Sequence, residues 1–469
     1  MLLRNTLLVA LATYGTLAGI PALAADGRID PTFGEDGLAL FALDDVEGRE
    51  LRTNAAAVLP DGRLLFAGAR NKFVPTAPFD PHYRATVVRL NADGSPDTGF
   101  GGQAGIPGLV VLPDLLPPNQ QQVIEDMHLL ADGSMIVAGS ADAFGALGGF
   151  VVKLDADGAM DPAFGTGGMA VFASAYVHAL AVDSQGRIVV GGERLVSGQS
   201  HSLVARLNAD GSPDTGFGDG GSVILGWGGG DEEGSLLSAV AIDGDDRIVA
   251  GGSYEAYGAG MGSDFAIARL AADGSLDTGF AGIGWRVFHV PGDLSTLNAV
   301  GELLLQPDGE AVFAGHHADA DGNLELVLGR LRNDGSDDAS FGAPATPGFH
   351  AIPLIAGAWN HAPTGLARQS DGKLVVGVSY VAPGIRENYL ALRVDATGQL
   401  DPDFADGGLF KADLAPDGVY SDLTALALLP DGRPILAGSV MRSAGSPLVD
   451  LGVVRLTGGN DRLFANGFD

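Results

Sequence analysis

"VVRLNADGSPDTGFG", Val87–Gly101, is written again almost letter for letter as "LVARLNADGSPDTGFG", Leu203–Gly218. Five looser copies follow the same grammar, with an Asp-x-x-Phe core at Asp30–Phe33, Asp97–Phe100, Asp161–Phe164, Asp214–Phe217, Asp277–Phe280, Asp338–Phe341 and Asp401–Phe404. A glycine stands three residues before each Asp, at Gly27, Gly94, Gly158, Gly211, Gly274, Gly335 and Gly398. The three residue types suit one local job: Gly reverses the backbone, Asp accepts nearby amide hydrogens, and Phe plugs the gap to a neighbouring unit. A motif present in every copy reads as scaffold.

A second phrase alternates with the first: an apolar stretch, a tight turn and another apolar stretch, as in "AAAVLPDGRLLFAGA" and "LALLPDGRPILAGS". Its turns centre on Gly62, Gly133, Gly186, Asp246, Gly309, Gly372 and Gly432. Asp-Gly between apolar segments predicts a β-hairpin, because Gly takes the positive φ of a two-residue turn at little cost. Six copies place another glycine six residues on, at Gly68, Gly139, Gly192, Gly252, Gly315 and Gly438; the seventh has Val378.

Each unit offers four strand candidates, for example "LSAVAI", "RIVAGG", "FAIARL" and "WRVFHV". Four strands of five or six residues with their turns fill such a unit. The expected fold is therefore all-β, a seven-bladed β-propeller with four antiparallel strands per blade, over an open solenoid. The chain ends favour closure. "DGRIDPTFGEDGLALF" supplies a fourth strand near the beginning, and the last unit stops after its third strand at "LGVVRL", Leu451–Leu456. Pairing the two completes the last blade and leaves no long edge exposed. The fourth strand is then outermost, both regular turns share one face, and the irregular connections gather on the other.

Residues 1–24 have the form of a secretory signal peptide, with Arg4, an apolar run from Leu7 to Ile20, and small residues at Ala22 and Ala24. The propeller is expected over 25–458 and a C-terminal tail over 459–469. No other segment is apolar enough to span a membrane. The expected location is exported: periplasmic, cell-surface or extracellular. A net charge of −31 repels phosphate backbones and excludes nucleic acid as a partner. With no cysteine, the fold has neither disulfides nor thiol chemistry.

The phrases "LPDGRLLFAGA", "ARLNADGSPDTGFG" and "ARLAADGSLDTGF" resemble the bacterial delta-60 repeat family of exported and surface proteins. The resemblance spans nearly all of Asp26–Leu456. It implies a propeller and brings no reaction, catalytic residue or ligand with it. Departures are the turns at Gln185-Gly186 and Asp246, and Ala281 and Ala405 where other copies have Gly.

Candidate chemistry is sparse. Gly216, Gly218 and Gly221 have dinucleotide-binding spacing, but they sit in a copy of the Phe-Gly turn, without a βαβ unit. A basic residue closes the third strand of every unit, at Arg89, Lys153, Arg206, Arg269, Arg330, Arg393 and Arg455, and is expected to pair with a motif Asp. "HHADADGNLE" sets Asp319, Asp321 and Glu325 in one loop, a calcium candidate lacking the full ligand spacing. Trp227, Trp359, Tyr254 and Tyr257 fall in irregular connections, where aromatic rings either stack on sugars or anchor proteins, or fill the loops they belong to. No catalytic residue and no other cofactor is indicated. The expected function is a non-catalytic exported propeller binding a protein or glycan through its irregular-loop face. The alternative is a hydrolase or lactonase with a metal in the central channel.

Overall fold

The computed structural model describes residues 26–458 except 44–47, 73–81, 102–105, 116–120, 144–145, 229–232, 257–261, 290–297, 319–322, 355–359, 383–384, 415–420 and 442–447. The signal-peptide segment 1–24 and the tail 459–469 lie outside the described residues. All named elements are strands, and no helix among the described residues is long and apolar enough to cross a membrane.

Hairpin chemistry sets the local structure. At the first turn Gly62 has φ 86° and its N–H donates to the Leu59 carbonyl at 2.9 Å, while Asp61 accepts the Arg63 N–H at 3.1 Å. Asp246 occupies the same left-handed conformation at φ 60°, with its N–H on the Asp243 carbonyl at 3.0 Å, so the departing copy keeps the turn. Strands two and three are buried almost throughout, as in Pro434–Met441 and Val449–Arg455, because neighbouring units cover both faces. Outermost strands such as Met169–Ala173 are half-exposed.

The expected count of seven blades is corrected by the sheet topology. Five four-stranded sheets stand separately, a five-bladed propeller arrangement. Their first strands are Gln121–Leu129, Ala175–Val182, Glu233–Ile242, Ala299–Leu305 and Asn360–Arg368. The other two units merge into one eight-stranded sheet. They join at a single parallel pair, Glu50 opposite Val449. That one backbone pair, near the beginning of Gly48–Val58 and the beginning of Val449–Arg455, is what carries the ladder from the last unit into the first.

In that sheet Leu38–Phe41 pairs antiparallel with Val449–Arg455, Leu38 opposite Val454 and Phe41 opposite Leu451. The Gly27 N–H reaches the Thr457 carbonyl at 2.8 Å and the Thr457 N–H the Arg28 carbonyl at 2.7 Å, extending the junction. The apolar core is divided among seams. One cluster, for instance, joins Ile136 and Val151 of the second unit to Ile188, Val190 and Leu203 of the third. Each motif Phe is buried against the motif glycine of the next unit: a Cβ on Gly158 would overlap the Phe100 ring, and one on Gly27 the Phe404 ring.

Candidate functional site

On the rim, the repeated basic residues are consumed in joining units. Arg89, Arg206, Arg269, Arg330, Arg393 and Arg455 donate from Nε to Asp97, Asp214, Asp277, Asp338, Asp401 and Asp30 at 2.6–2.8 Å. Each guanidinium lies 4.3–5.2 Å from the centroid of its motif Phe. Five of them also reach a backbone carbonyl in the next unit's turn: Ala156, Ala272, Asn333, Ala396 and Ala92. Arg393 instead holds the chain junction through Asp26, at 3.0 Å, and the Gly458 carbonyl. Lys153 is the exception, 4.0 Å from Asp161.

At the axis, the first strands of all seven units line a channel cavity of about 240 Å³. Each of them carries a register shift at the same place: between Thr53 and Ala55, Ile124 and Asp126, Val177 and Ala179, Leu237 and Ala239, Val300 and Glu302, Pro363 and Gly365, and Leu423 and Ala425. The inserted residues are Asn54, Glu125, His178, Ser238, Gly301, Thr364 and Thr424. A β-bulge of this kind leaves one residue out of the ladder and re-aims the side chains around it.

The bulges account for the glycines six residues past the turns. A Cβ on Gly68, Gly139, Gly192, Gly252, Gly315 or Gly438 would overlap the carbonyl oxygen of Arg52, Val123, Tyr176, Leu236, Ala299 or Asp422, which the bulge pushes across the ladder. In the remaining copy Val378 stands opposite Pro363 and is buried.

Most re-aimed side chains staple one unit to the next. Asn54 Nδ2 donates to the Ile124 carbonyl at 3.0 Å and to Glu125 Oε2 at 2.9 Å. Asp126 accepts the N–H groups of Met127 and Leu180, both at 2.7 Å. Ser238 Oγ donates to the Val300 carbonyl, and the Thr53 and Thr424 hydroxyls meet at 2.9 Å.

Just after the bulge the units carry Ala55, Asp126, Ala179, Ala239, Glu302, Gly365 and Ala425: five small residues and two acids. Glu302 sits deep in the molecule and lines the cavity, with no hydrogen bond or ion pair among the described residues. Burial, reinforced by the nearby Asp126, pushes its pKa up to about 8. Burial also lifts Asp126 to about 7, against the N–H bonds from Leu180 and Met127, and Glu125 adds to the rise. Glu125 is raised by burial despite His178 and the Asn54 amide. Glu302 thus carries its proton at neutral pH, as a hydrogen-bond donor. Among the described residues no three Asp, Glu or His side chains gather to hold a metal ion.

The aromatic candidates fall elsewhere. Trp227 is 3% exposed, its Nε1 donating to Ser202 Oγ at 3.2 Å and its ring edge-on to Trp285 at 6.1 Å. The half-buried Tyr254 packs against the same cluster, so these two come together in a core rather than on a face. Trp359, Tyr257, Asp319 and Asp321 lie outside the described residues; Glu325 is 3.2 Å from His317 Nε2. The channel acids Glu125, Asp126 and Glu302 were not singled out in the sequence. Their signal was available in the glycine opposite each bulge.

Five stretches, 59–100, 130–164, 184–217, 244–280 and 369–404, match the family described as a domain of unknown function (DUF5122) beta-propeller. The chain is built of β-propeller repeats. No curated protein matches its sequence. A protein of unknown function from Dyadobacter fermentans is similar in structure at 11% identity and a TM-score of 0.47, over 91% of this propeller chain and 100% of its own. A polysaccharide lyase, an ulvan lyase, is similar at 10% identity and 0.48, over 88% and 94%. A gluconolactonase from Xanthomonas campestris gives 15% and 0.34, over 72% and 90%.

Proposed function

We propose that the protein is an exported, non-catalytic binding module that presents the irregular-loop face of its propeller to a protein or glycan. The observation that supports this reading is the consumption of the recurring polar groups. The rim arginines and most of the axial side chains are spent on neighbouring units, so differences between units concentrate in the connections. Variable loops on a rigid scaffold are where recognition usually resides. Export rests on the apolar run of residues 7–20 behind Arg4, and the N-terminal sequence of the mature protein tests it. For binding, the mature protein is screened against glycan and surface-protein arrays, and each hit is repeated after the connections 257–261 and 355–359 are replaced with Gly-Ser. Loss of binding with an unchanged unfolding midpoint supports the reading; hits that survive every loop replacement defeat it.

Glu302 favours a second reading, a hydrolase or lactonase using the channel, because a proton-bearing carboxyl open to a cavity can act as a general acid. A panel of lactone, ester and glycoside substrates decides. Turnover abolished by Glu302→Gln selects this reading over the first.

A further inference from the structure

A groove of about 960 Å³ lies at the outer edge between the second and third units. One wall is the outermost strand Met169–Ala173, with Val171 50% exposed and Phe172 beside it; Leu115 lies at its side. The other wall includes Arg194, near the end of Ile188–Val196. Its register partners are Ala175 and His201.

Arg194 has no ion pair or hydrogen bond among the described residues, and its Nε is buried without any partner. The side chain is half-buried, and withdrawing one donor of a charged group from water without a partner has a cost. A shortage of acids does not explain it, since the chain has 58 acidic residues against 27 basic ones. Neighbouring Glu193 is engaged elsewhere, 3.9 Å from His178. Arg206, which also lines the groove, is taken by Asp214 and the Ala272 carbonyl. An unmatched guanidinium beside an apolar wall is complementary to one kind of guest.

We infer that this groove binds a carboxylate with an apolar body, the carboxylate on Arg194 and the hydrocarbon against Val171, Phe172 and Leu115. A planar guanidinium fork suits a carboxylate, and the cavity volume falls in the range of small-molecule sites. The groove shares no lining residue with the channel, and a small carboxylate is a different guest from the protein or glycan of the loop-face reading, so its test is separate from both.

Calorimetric titration of the full chain with octanoate, octanol and octylamine tests it. Octanoate is expected to bind saturably, and octanol and octylamine about tenfold or more weakly, the usual worth of one charge-assisted bond. Arg194→Gln should weaken octanoate by a similar factor and leave octanol unchanged. Val171→Arg, at an exposed position, should block all three without altering the unfolding midpoint. The inference is overturned if octanoate does not saturate, if octanol binds equally well, or if Arg194→Gln, verified as folded, binds octanoate as tightly as the parent.

Discussion

The rim and the axis of this propeller join the same neighbours by different means. At the rim, six seams use the same three side chains, Arg, Asp and Phe, in the same geometry. At the axis, the backbone distortion is the repeated element, and the residue it presents changes from unit to unit: Asn, Glu, His, Ser, Gly, Thr, Thr. Where side chains repeat, a structural demand holds each of them. Where only the backbone repeats, chemistry can vary without breaking the ring, as it does at Glu302.

The largest difference between the regions should appear on truncation. Arg393, with a side chain 2% exposed, holds Asp401 at 2.8 Å and Asp26 at 3.0 Å. Arg393→Ala takes from Asp401 one of its two cations, Lys373 remaining at 2.8 Å, and opens the junction at Asp26 and the Gly458 carbonyl; it should cost about 1.5–3 kcal/mol in urea unfolding. Ser238→Ala, which removes one axial staple to the Val300 carbonyl, should cost about 1 kcal/mol. Equal losses would erase the distinction between clamp and staple.

Next in size is a pH effect of opposite sign in the two regions. Burial pushes Asp97 up, but the Gly99 N–H and the guanidinium groups of Arg63 and Arg89 outweigh it and hold its pKa below 3.8. Rim carboxylates of this kind add stability above their unfolded pKa and lose it as pH falls through the lower folded value. Glu302 behaves in reverse. Between its ordinary 4.5 and about 8 the folded chain keeps a proton that the unfolded chain has released, so stability falls as pH rises through that window. Asp126 does the same between 3.8 and about 7. Glu302→Gln should therefore stabilise the protein at pH 8, on the order of 1–3 kcal/mol, and leave it unchanged at pH 4. Thermal unfolding at the two pH values measures it, and a gain at pH 4 would contradict the assignment.

The rim was legible in the sequence and the axis was not, for a physical reason. Repeated side chains such as Arg206, Asp214 and Phe217 advertise themselves by identity, and their hydrogen-bonding types dictate the pairing that the structure shows. A bulge has no side chain of its own. Its trace was the glycine on the facing strand, Gly139 opposite Ile124, which reads as a strand glycine until the Val123 carbonyl is seen filling the Cβ position. Hairpins, strand order within a unit and the pairing of Leu38–Phe41 with the last unit follow from turn chemistry and from where the four-strand phrase is cut. The merging of two units depends on a single backbone pair at one seam, Glu50 with Val449, which periodicity does not register. Loop position leaves Trp227 open to either a binding or a packing role, and the Ser202 hydroxyl and Trp285 give it partners inside.

A smaller effect sharpens the rim. Lys153 lies 4.0 Å from Asp161 and has no second arm for the next unit, where the other seams place a guanidinium on a turn carbonyl. Lys153→Arg restores the fork to Asp161 and brings Nη1 toward the Ala209 carbonyl, by correspondence with Arg89 and Ala156. A gain of about 1 kcal/mol in urea unfolding is expected. Unchanged stability would mean that the clamp contributes geometry and little energy.

The smallest change sharpens the axis. Thr424 Oγ1 meets Thr53 Oγ1 at 2.9 Å across one seam, but Thr364 Oγ1, in the corresponding place one seam earlier, is buried with no partner. The residue that would answer it there is Leu423, fully buried, which offers only carbon. Thr364→Val keeps the shape and deletes the unsatisfied hydroxyl, so it should stabilise by roughly 0.5–1 kcal/mol and raise the urea midpoint at constant slope. Destabilisation instead would show that a channel water satisfies Thr364, and the axis would then count as a hydrated conduit whose polar belt is free to meet a ligand.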